Sequence, residues 1–133
     1  MKKIWFLIIL SLFVVNIFSC GQTDTLPNDL GKKVGSPKGL KQVIDSQDSK
    51  FIIVDVRSAT EYYKGHIPTA INIPGGIISD TKTPPSKDKY IILYCTAGLK
   101  SEEAGKRMLA DGYKYIFNWG GILDWPYKLE ASK

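Results

Sequence analysis

Short apolar runs alternate along the chain with segments that have helical spacing. Four runs rich in β-branched or aromatic residues predict buried strands. They cover residues 51–55, 70–73, 90–94 and 115–118. Helix signals lie before and between these runs, at residues 36–44, 58–64 and 102–111. This alternation predicts an α/β fold, in which a small, mostly parallel sheet is flanked by helices on both faces.

Local signals support the first helix. Ser36 and Pro37 are a typical N-cap and first helical residue. Leu40, Val43 and Ile44 follow at helical spacing, and we expect all three to face the core.

Two later helices carry similar signals. Ser58 and Glu61 have the spacing of a capping box, which predicts a short helix after Ser58. In the helix predicted after the third strand, Ala104, Met108 and Leu109 share one side and should pack against the sheet.

The N-terminal residues have the layout of a secretory signal. A basic start precedes an almost wholly apolar run over residues 4–18, which is too short for a comfortable membrane span. The run ends at residues 17–21, which resemble a bacterial lipobox, where cleavage precedes a cysteine that becomes lipidated. An ordinary signal peptide or an uncleaved anchor, with Cys20 incidental, is the alternative.

This pattern divides the chain into three parts. We predict a lipoprotein signal peptide over residues 1–19, a flexible tether over 20–35 that carries lipidated Cys20, and one domain over 36–130. The domain would then be extracytoplasmic, on the periplasmic side, and anchored to a bacterial membrane by its N-terminal lipid.

Composition limits the function further. The 133 residues suffice for one domain, and two charges of the formal net +5 belong to Lys2 and Lys3 in the predicted signal. The remaining charge is too small to indicate nucleic-acid binding and favours only small anions. If Cys20 is lipidated, Cys95 is the only thiol, so an outside molecule must complete any covalent chemistry there.

Cys95 stands where a predicted strand ends and a glycine-containing loop leads into a helix. Amides of such a loop can surround the sulfur, and the helix N-terminus adds partial positive charge. Both effects favour the thiolate and lower the thiol pKa, so we predict a reactive cysteine reachable from solvent. A buried structural cysteine is the alternative.

Three motifs together resemble the rhodanese domains. The first resembles their N-terminal signature, the second their active-site loop and the third their C-terminal glycine pair and tryptophan. They lie at residues 54–74, 95–101 and 120–125. Two residues depart from the family pattern: Thr69 stands where glycine is usual, and Lys100 where arginine is common. Lysine keeps the charge but lacks the bidentate fork of arginine.

The resemblance implies a sulfurtransferase that moves sulfane sulfur through a persulfide on Cys95, without a cofactor. The expected partners are a small anionic donor such as thiosulfate and a thiol or cyanide acceptor. Backbone amides would bind the substrate, with Lys100 attracting the anion. They would come from Thr96, Ala97, Gly98, Leu99 and Lys100. A non-catalytic binding or sulfide-carrier module on the same fold is the alternative; a cysteine phosphatase is disfavoured because only four residues separate Cys95 from Lys100.

The other polar residues of the motifs are predicted to be structural. Asp55 would order the loops at a strand end, and Arg57 would bridge to a carboxylate such as Glu61. His66 lies in a turn motif that shapes the fold in the rhodanese family. One histidine and one free thiol give no support for a metal site.

Overall fold

The computed structural model describes residues 28–132. The predicted signal peptide and lipidated Cys20 lie outside these residues. Four strands and four α-helices follow one another in the described part. The strands are β1 (Phe51–Asp55), β2 (Ile71–Asn72), β3 (Tyr90–Cys95) and β4 (Tyr115–Gly121); the helices are α1 (Asn28–Val34), α2 (Pro37–Asp45), α3 (Ala59–Lys64) and α4 (Leu99–Ala110). None of the helices in this part is long and apolar enough to cross a membrane.

The four strands form one parallel sheet with the order β2-β1-β3-β4. The predicted α/β fold is therefore confirmed. In the β3–β4 register, Tyr90 lies beside Tyr115 at one end and Cys95 beside Gly121 at the other, with a shift after Leu93. The carboxyl ends of all strands lie at one edge of the sheet, which is where loops of α/β proteins carry ligands.

The strands are buried on both sides, which explains their nearly continuous apolar sequence. On one face Leu40 and Val43 of α2 pack with β-strand residues such as Tyr94. On the other face Ala104 and Met108 of α4 pack with a second set of strand residues, which includes Cys95. The sheet therefore has helices on both faces, and Cys95 lies on the α4 side.

The start of the folded part differs from the expectation of a tether over residues 20–35. Residues Asn28–Val34 form α1, which packs on α2, and Val34 is completely buried. The junction is tight, because a β-carbon at Gly39 would lie 1.6 Å from the carbonyl oxygen of Lys33. Helix α1 was not predicted because its sequence is short and polar, and its stability comes from tertiary contacts.

Helix α4 also differs from its prediction. It begins at Leu99 and not at Glu102, which brings Leu99, Lys100 and Ser101 into its first turn. Leu109, predicted to face the core, is 44% exposed, whereas Ala104 and Met108 are fully buried. The helical stripe that faces the sheet is therefore narrower than the sequence suggested.

Candidate active site

Cys95 is the last residue of β3, and residues 96–98 connect it to the first turn of α4. Gly98 has a φ of +107°, in the region that favours glycine. This conformation turns the Gly98 amide back toward the strand, where it donates a hydrogen bond to the Cys95 sulfur over 3.0 Å. The same turn directs the N-terminus of the 12-residue helix α4 to the loop, so its partial positive charge lies near the sulfur.

Ser101 completes the surroundings of the sulfur from inside the helix. The residue is fully buried, and its hydroxyl oxygen lies 3.5 Å from the Cys95 Sγ. The backbone amides of Ala97 and Ser101 also favour the thiolate. Donors thus come from two sides, the loop and the first turn of α4.

Two opposing effects act on the ionisation of Cys95. Burial raises the pKa of the thiol, because the anion is poorly solvated there. Hydrogen bonds from the Ser101 hydroxyl and from the amides of Gly98, Ser101 and Ala97 outweigh that effect. The pKa of Cys95 therefore lies below its ordinary value, and the surroundings stabilise a thiolate.

The five residues predicted to bind the substrate occupy different positions. Ala97 and Gly98 direct amides to the sulfur. Thr96 is exposed in the loop, whereas Leu99 and Lys100 begin α4 with exposed side chains. The charge of Lys100 contributes to a lowered pKa of Glu61, after the larger effect of hydrogen bonds from Ser58.

The sulfur is less accessible than expected. Cys95 is 2% exposed, whereas Thr96 and Ala97 beside it are exposed. The prediction of a sulfur reachable from solvent is therefore wrong for Cys95 itself, and only the loop beside it is exposed.

Residues of β4 pack against the loop that follows Cys95. A β-carbon at Gly121 would lie 2.7 Å from Ala97 Cα, so only glycine permits this approach. Asn118 contacts three groups with its carboxamide: Nδ2 donates to Gly98 O over 3.3 Å, and Oδ1 accepts from the Gly120 amide over 3.1 Å and from the Ser101 hydroxyl over 2.8 Å.

Asp55 and Arg57 form a buried ion pair at the end of β1. Arg57 Nη2 lies 2.6 Å from Asp55 Oδ2 and donates also to Gly65 O. Asp55 Oδ2 accepts from the Tyr94 hydroxyl over 2.8 Å, and that hydroxyl accepts from the Ile67 amide. Burial, with the Asp55 charge second, raises the pKa of Tyr94, so its hydroxyl stays neutral. This network connects β1, β3 and the turn after α3.

The contacts of these residues fit a structural role, although the carboxylate partner of Arg57 differs from the expected Glu61. Glu61 instead closes the capping box of α3 with Ser58. His66 stacks on Tyr62 at 3.8 Å and pairs its backbone with Glu130. Its Nδ1 lies 2.9 Å from Tyr62 O, so the ring is engaged in the turn. Among residues 28–132, no three potential metal ligands cluster.

One cavity of the described part lies away from Cys95. It has a volume of about 540 Å³ and is lined by the end of α2, by Phe51 and Ile71, and by Pro85. Phe51 begins β1, so this cavity opens at the edge of the sheet opposite to Cys95. It therefore contributes nothing to the surroundings of the thiol.

Sequence reasoning overlooked two residues of the site. Ser101 belongs to the cysteine loop motif. Because the sequence predicts a helix that begins only at Glu102, it does not indicate that the Ser101 side chain faces inward. Asn118 carried no sequence signal, because it reads as one polar residue at the end of an apolar strand. Only the β3–β4 register, with Leu93 beside Asn118, brings it to the loop.

Comparisons with known proteins agree with this geometry. Residues 36–127 match the model of the Rhodanese-like domain. A tRNA uridine(34) hydroxylase of Yersinia enterocolitica is 32% identical over 113 residues, which are 80% of this chain and 31% of that protein. The putative sulfur carrier protein YrkF of Bacillus subtilis is 35% identical over 96 residues, 71% of this chain and 51% of that protein. The chain thus spans about a third to a half of the length of these relatives.

A solved structure is similar as well. The rhodanese-like domain protein from Staphylococcus aureus superposes with a TM-score of 0.61 at 29% identity, covering 74% of this chain and 96% of that one. The family model matches more than half of the chain and includes the Cys95 loop. This chain therefore belongs to the rhodanese-like domain family, and that membership supports an enzyme of the sulfurtransferase type.

Proposed function

We propose that this protein transfers sulfane sulfur from a donor such as thiosulfate to a thiophilic acceptor through a Cys95 persulfide. The observation that carries the proposal is the hydrogen bond from the Gly98 amide to the Cys95 sulfur, reinforced by Ser101. These donors favour a thiolate at the end of β3. A thiolate in this position is an activated nucleophile.

The reaction has two displacement steps. In the first, the Cys95 thiolate attacks the outer sulfur of thiosulfate; a new S–S bond forms, the bond to the sulfonate group breaks, and sulfite leaves with the electron pair. In the second, a thiolate or cyanide attacks the terminal sulfur of the persulfide, and Cys95 leaves as thiolate. The chain needs no second cysteine of its own for either step.

The loop has the means to stabilise the charged terminal sulfur. Amides at a helix start bind anions, and α4 begins immediately after Gly98. Lys100 adds a positive charge on the exposed side of the loop. Because a lysine ammonium lacks the planar fork of arginine, it attracts a thiosulfate anion without fixing its orientation.

The test is mass spectrometry of the full chain after incubation with thiosulfate, together with a thiocyanate assay. We expect one added sulfur atom on the peptide that contains Cys95, and thiocyanate formation when cyanide is supplied. Cys95→Ser should abolish both signals. Cys20→Ser is the matched control and should retain both, since Cys20 lies outside the domain. An unmodified Cys95 without turnover would exclude the proposal.

A second candidate is a sulfur-carrier or binding module with little turnover. The low exposure of Cys95 favours it, and one relative carries the name of a putative sulfur carrier. Stoichiometric loading of Cys95 without release to cyanide or small thiols would distinguish this module from the enzyme. A partner pull-down that persists in Cys95→Ala would indicate binding that does not need the thiol.

We also propose that Cys20 is lipidated and anchors the domain on the extracytoplasmic side of a bacterial membrane. The apolar run over residues 4–18 and the cysteine that follows support this. Because α1 begins at Asn28, the link from Cys20 spans at most about 28 Å even when extended. Metabolic labelling with a fatty acid should mark the wild-type chain and not Cys20→Ser; equal labelling of both would refute it.

A further inference from the structure

The Ser101 hydroxyl has one proton and several acceptors. Asn118 Oδ1 lies 2.8 Å from the hydroxyl oxygen, Gly98 O 2.9 Å and Gly120 O 3.3 Å. The Cys95 sulfur lies 3.5 Å away, within range of an O–H···S contact. A hydroxyl donates only one hydrogen bond at a time. The partner of this proton must therefore depend on which acceptor is strongest.

The charge of the sulfur decides that competition. A thiolate is an ionised acceptor, and hydrogen bonds to ionised groups are about twice as strong as neutral ones. A protonated thiol or the inner sulfur of a persulfide carries no such charge. The hydroxyl then has a better partner in the carboxamide oxygen of Asn118, which is its nearest acceptor.

We propose that Asn118 is a positioning residue that holds the Ser101 proton whenever the Cys95 sulfur is uncharged and releases it when the thiolate forms. Its relevance to sulfur transfer rests on the proposed function. In that cycle the hydroxyl points to Sγ in the free enzyme and returns to Asn118 once Cys95 carries the extra sulfur. Asn118 thereby makes the thiolate slightly harder to form and the loaded state easier to keep.

The carboxamide of Asn118 is held in the orientation that this exchange needs. Its oxygen also accepts from the Gly120 amide over 3.1 Å, and its nitrogen donates to Gly98 O over 3.3 Å. Because both neighbours are backbone groups, the acceptor faces Ser101 independently of the state of Cys95. Oδ1 retains the Gly120 partner when the hydroxyl turns away.

Ionisable groups also lie on the elements that surround Cys95. The end of β1 contributes the Asp55–Arg57 ion pair, α4 contributes Lys100, α3 contributes Glu61, and Tyr113 lies in the same apolar cluster as Cys95. The titratable side chain of β4, Tyr115, lies at the opposite end of that strand. All of these groups stay unchanged when Asn118 or Ser101 is substituted, so their effects cancel in a comparison of variants.

The experiment measures the pH dependence of Cys95 alkylation by iodoacetamide, read on the peptide that carries Cys95. It compares the wild-type chain with Asn118→Leu, with Ser101→Ala and with the double variant. We expect Asn118→Leu to lower the apparent pKa of Cys95 by about 0.5, because the hydroxyl then gives up only a longer bond, to Gly98 O or Gly120 O, when it donates to the thiolate. Ser101→Ala should raise the pKa by about 1.

The double variant decides the proposal. In the Ser101→Ala background, Asn118→Leu should leave the pKa unchanged, because no hydroxyl proton remains to be shared. An equal decrease in both backgrounds, or an increase in the wild-type background, would overturn the exchange and leave Asn118 as loop support only. Asn118 is exposed in the middle of β4, and Asn118→Val provides a second apolar variant that suits a strand.

This outcome is separable from the proposed function. Alkylation needs only the thiolate and no sulfur donor. If Cys95 fails to load sulfur from thiosulfate while the four pKa values follow the expected cycle, the sulfur transfer is refuted and the proton exchange at the thiolate stands. If Cys95 loads sulfur and the effects of the two substitutions on its pKa simply add, only the proposed proton exchange is refuted.

Discussion

Gly121 lies against the backbone of Thr96, and a β-carbon at position 121 would stand 2.3 Å from the Thr96 carbonyl oxygen. The contact occurs where the cysteine loop leaves the sheet, since Cys95 is the register partner of Gly121. The loop can therefore fold over the end of β4 only if no side chain stands there. Hence the position of the Gly98 amide depends on a residue more than twenty positions away in the sequence.

We expect Gly121→Ala to displace the loop and to lower the free energy of unfolding by about 1–3 kcal/mol, the usual effect of overpacking. Persulfide formation at Cys95 should slow in parallel. Gly31→Ala is the matched control: its β-carbon would meet Phe117 at an ordinary 3.6 Å within helix α1. Chemical denaturation measures both variants, and an equal loss of stability in the two would contradict the steric argument.

Asp55→Asn should be strongly destabilising, because it leaves the guanidinium of Arg57, 9% exposed, without its charge partner. Breaking a buried pair from one side costs about 3–5 kcal/mol. The exposed pair Lys41–Asp45 provides the control, and Asp45→Asn should change stability by less than about 1 kcal/mol. Similar effects of the two substitutions on the denaturation midpoint would argue against a structural role for the buried pair.

Tyr94→Phe tests the hydroxyl that connects β3 to β1. It removes the donor to Asp55 and leaves the Ile67 amide without its acceptor. We expect a loss of about 1–3 kcal/mol in unfolding free energy. Tyr113→Phe, which removes one hydrogen bond to Pro85 O, should cost about 1 kcal/mol. A larger loss for Tyr113→Phe would show that the Tyr94 hydroxyl does not hold the network together.

The lowered pKa of Cys95 predicts a pH-dependent contribution to stability. An acid with a depressed folded-state pKa stabilises the fold fully above its unfolded-state pKa, which is about 8.5 for cysteine. This contribution disappears as the pH falls through the folded-state pKa. The difference in unfolding free energy between the wild type and Cys95→Ser should therefore grow as the pH rises from about 6 to about 9. A difference independent of pH would mean that the fold does not favour the thiolate.

Substitutions of Lys100 should change donor binding more than chemistry. Under the proposed function, Lys100→Arg should lower the KM for thiosulfate severalfold, because arginine can bind an oxyanion with two parallel hydrogen bonds. Lys100→Ala should raise the KM, with a smaller effect on kcat. Lys106→Ala removes a lysine that pairs with Glu102 on the exposed side of α4 and should leave the KM unchanged. Equal kinetics in all three variants would exclude a role of Lys100 in donor attraction.

Local sequence determined most of the elements and the place of Cys95 between a strand and a helix. The β-branched run over residues 51–55 predicts β1 with its observed ends, because a strand buried on both faces is apolar throughout. The capping box of Ser58 and Glu61 likewise sets the start of α3, since its hydrogen bonds are formed within four residues. The position of Cys95 between a strand and a helix likewise follows from local sequence signals on either side of it.

Tertiary structure decided what surrounds the thiol. Whether Ser101 faces inward depends on the start of α4, and whether Asn118 reaches it depends on the shifted pairing of β3 and β4. Helix α1 is stable because Val34 is buried in the core on the α2 side of the sheet. These features arise from contacts between segments distant in the chain, and the pattern of one segment carries no information about the partner against which it will pack.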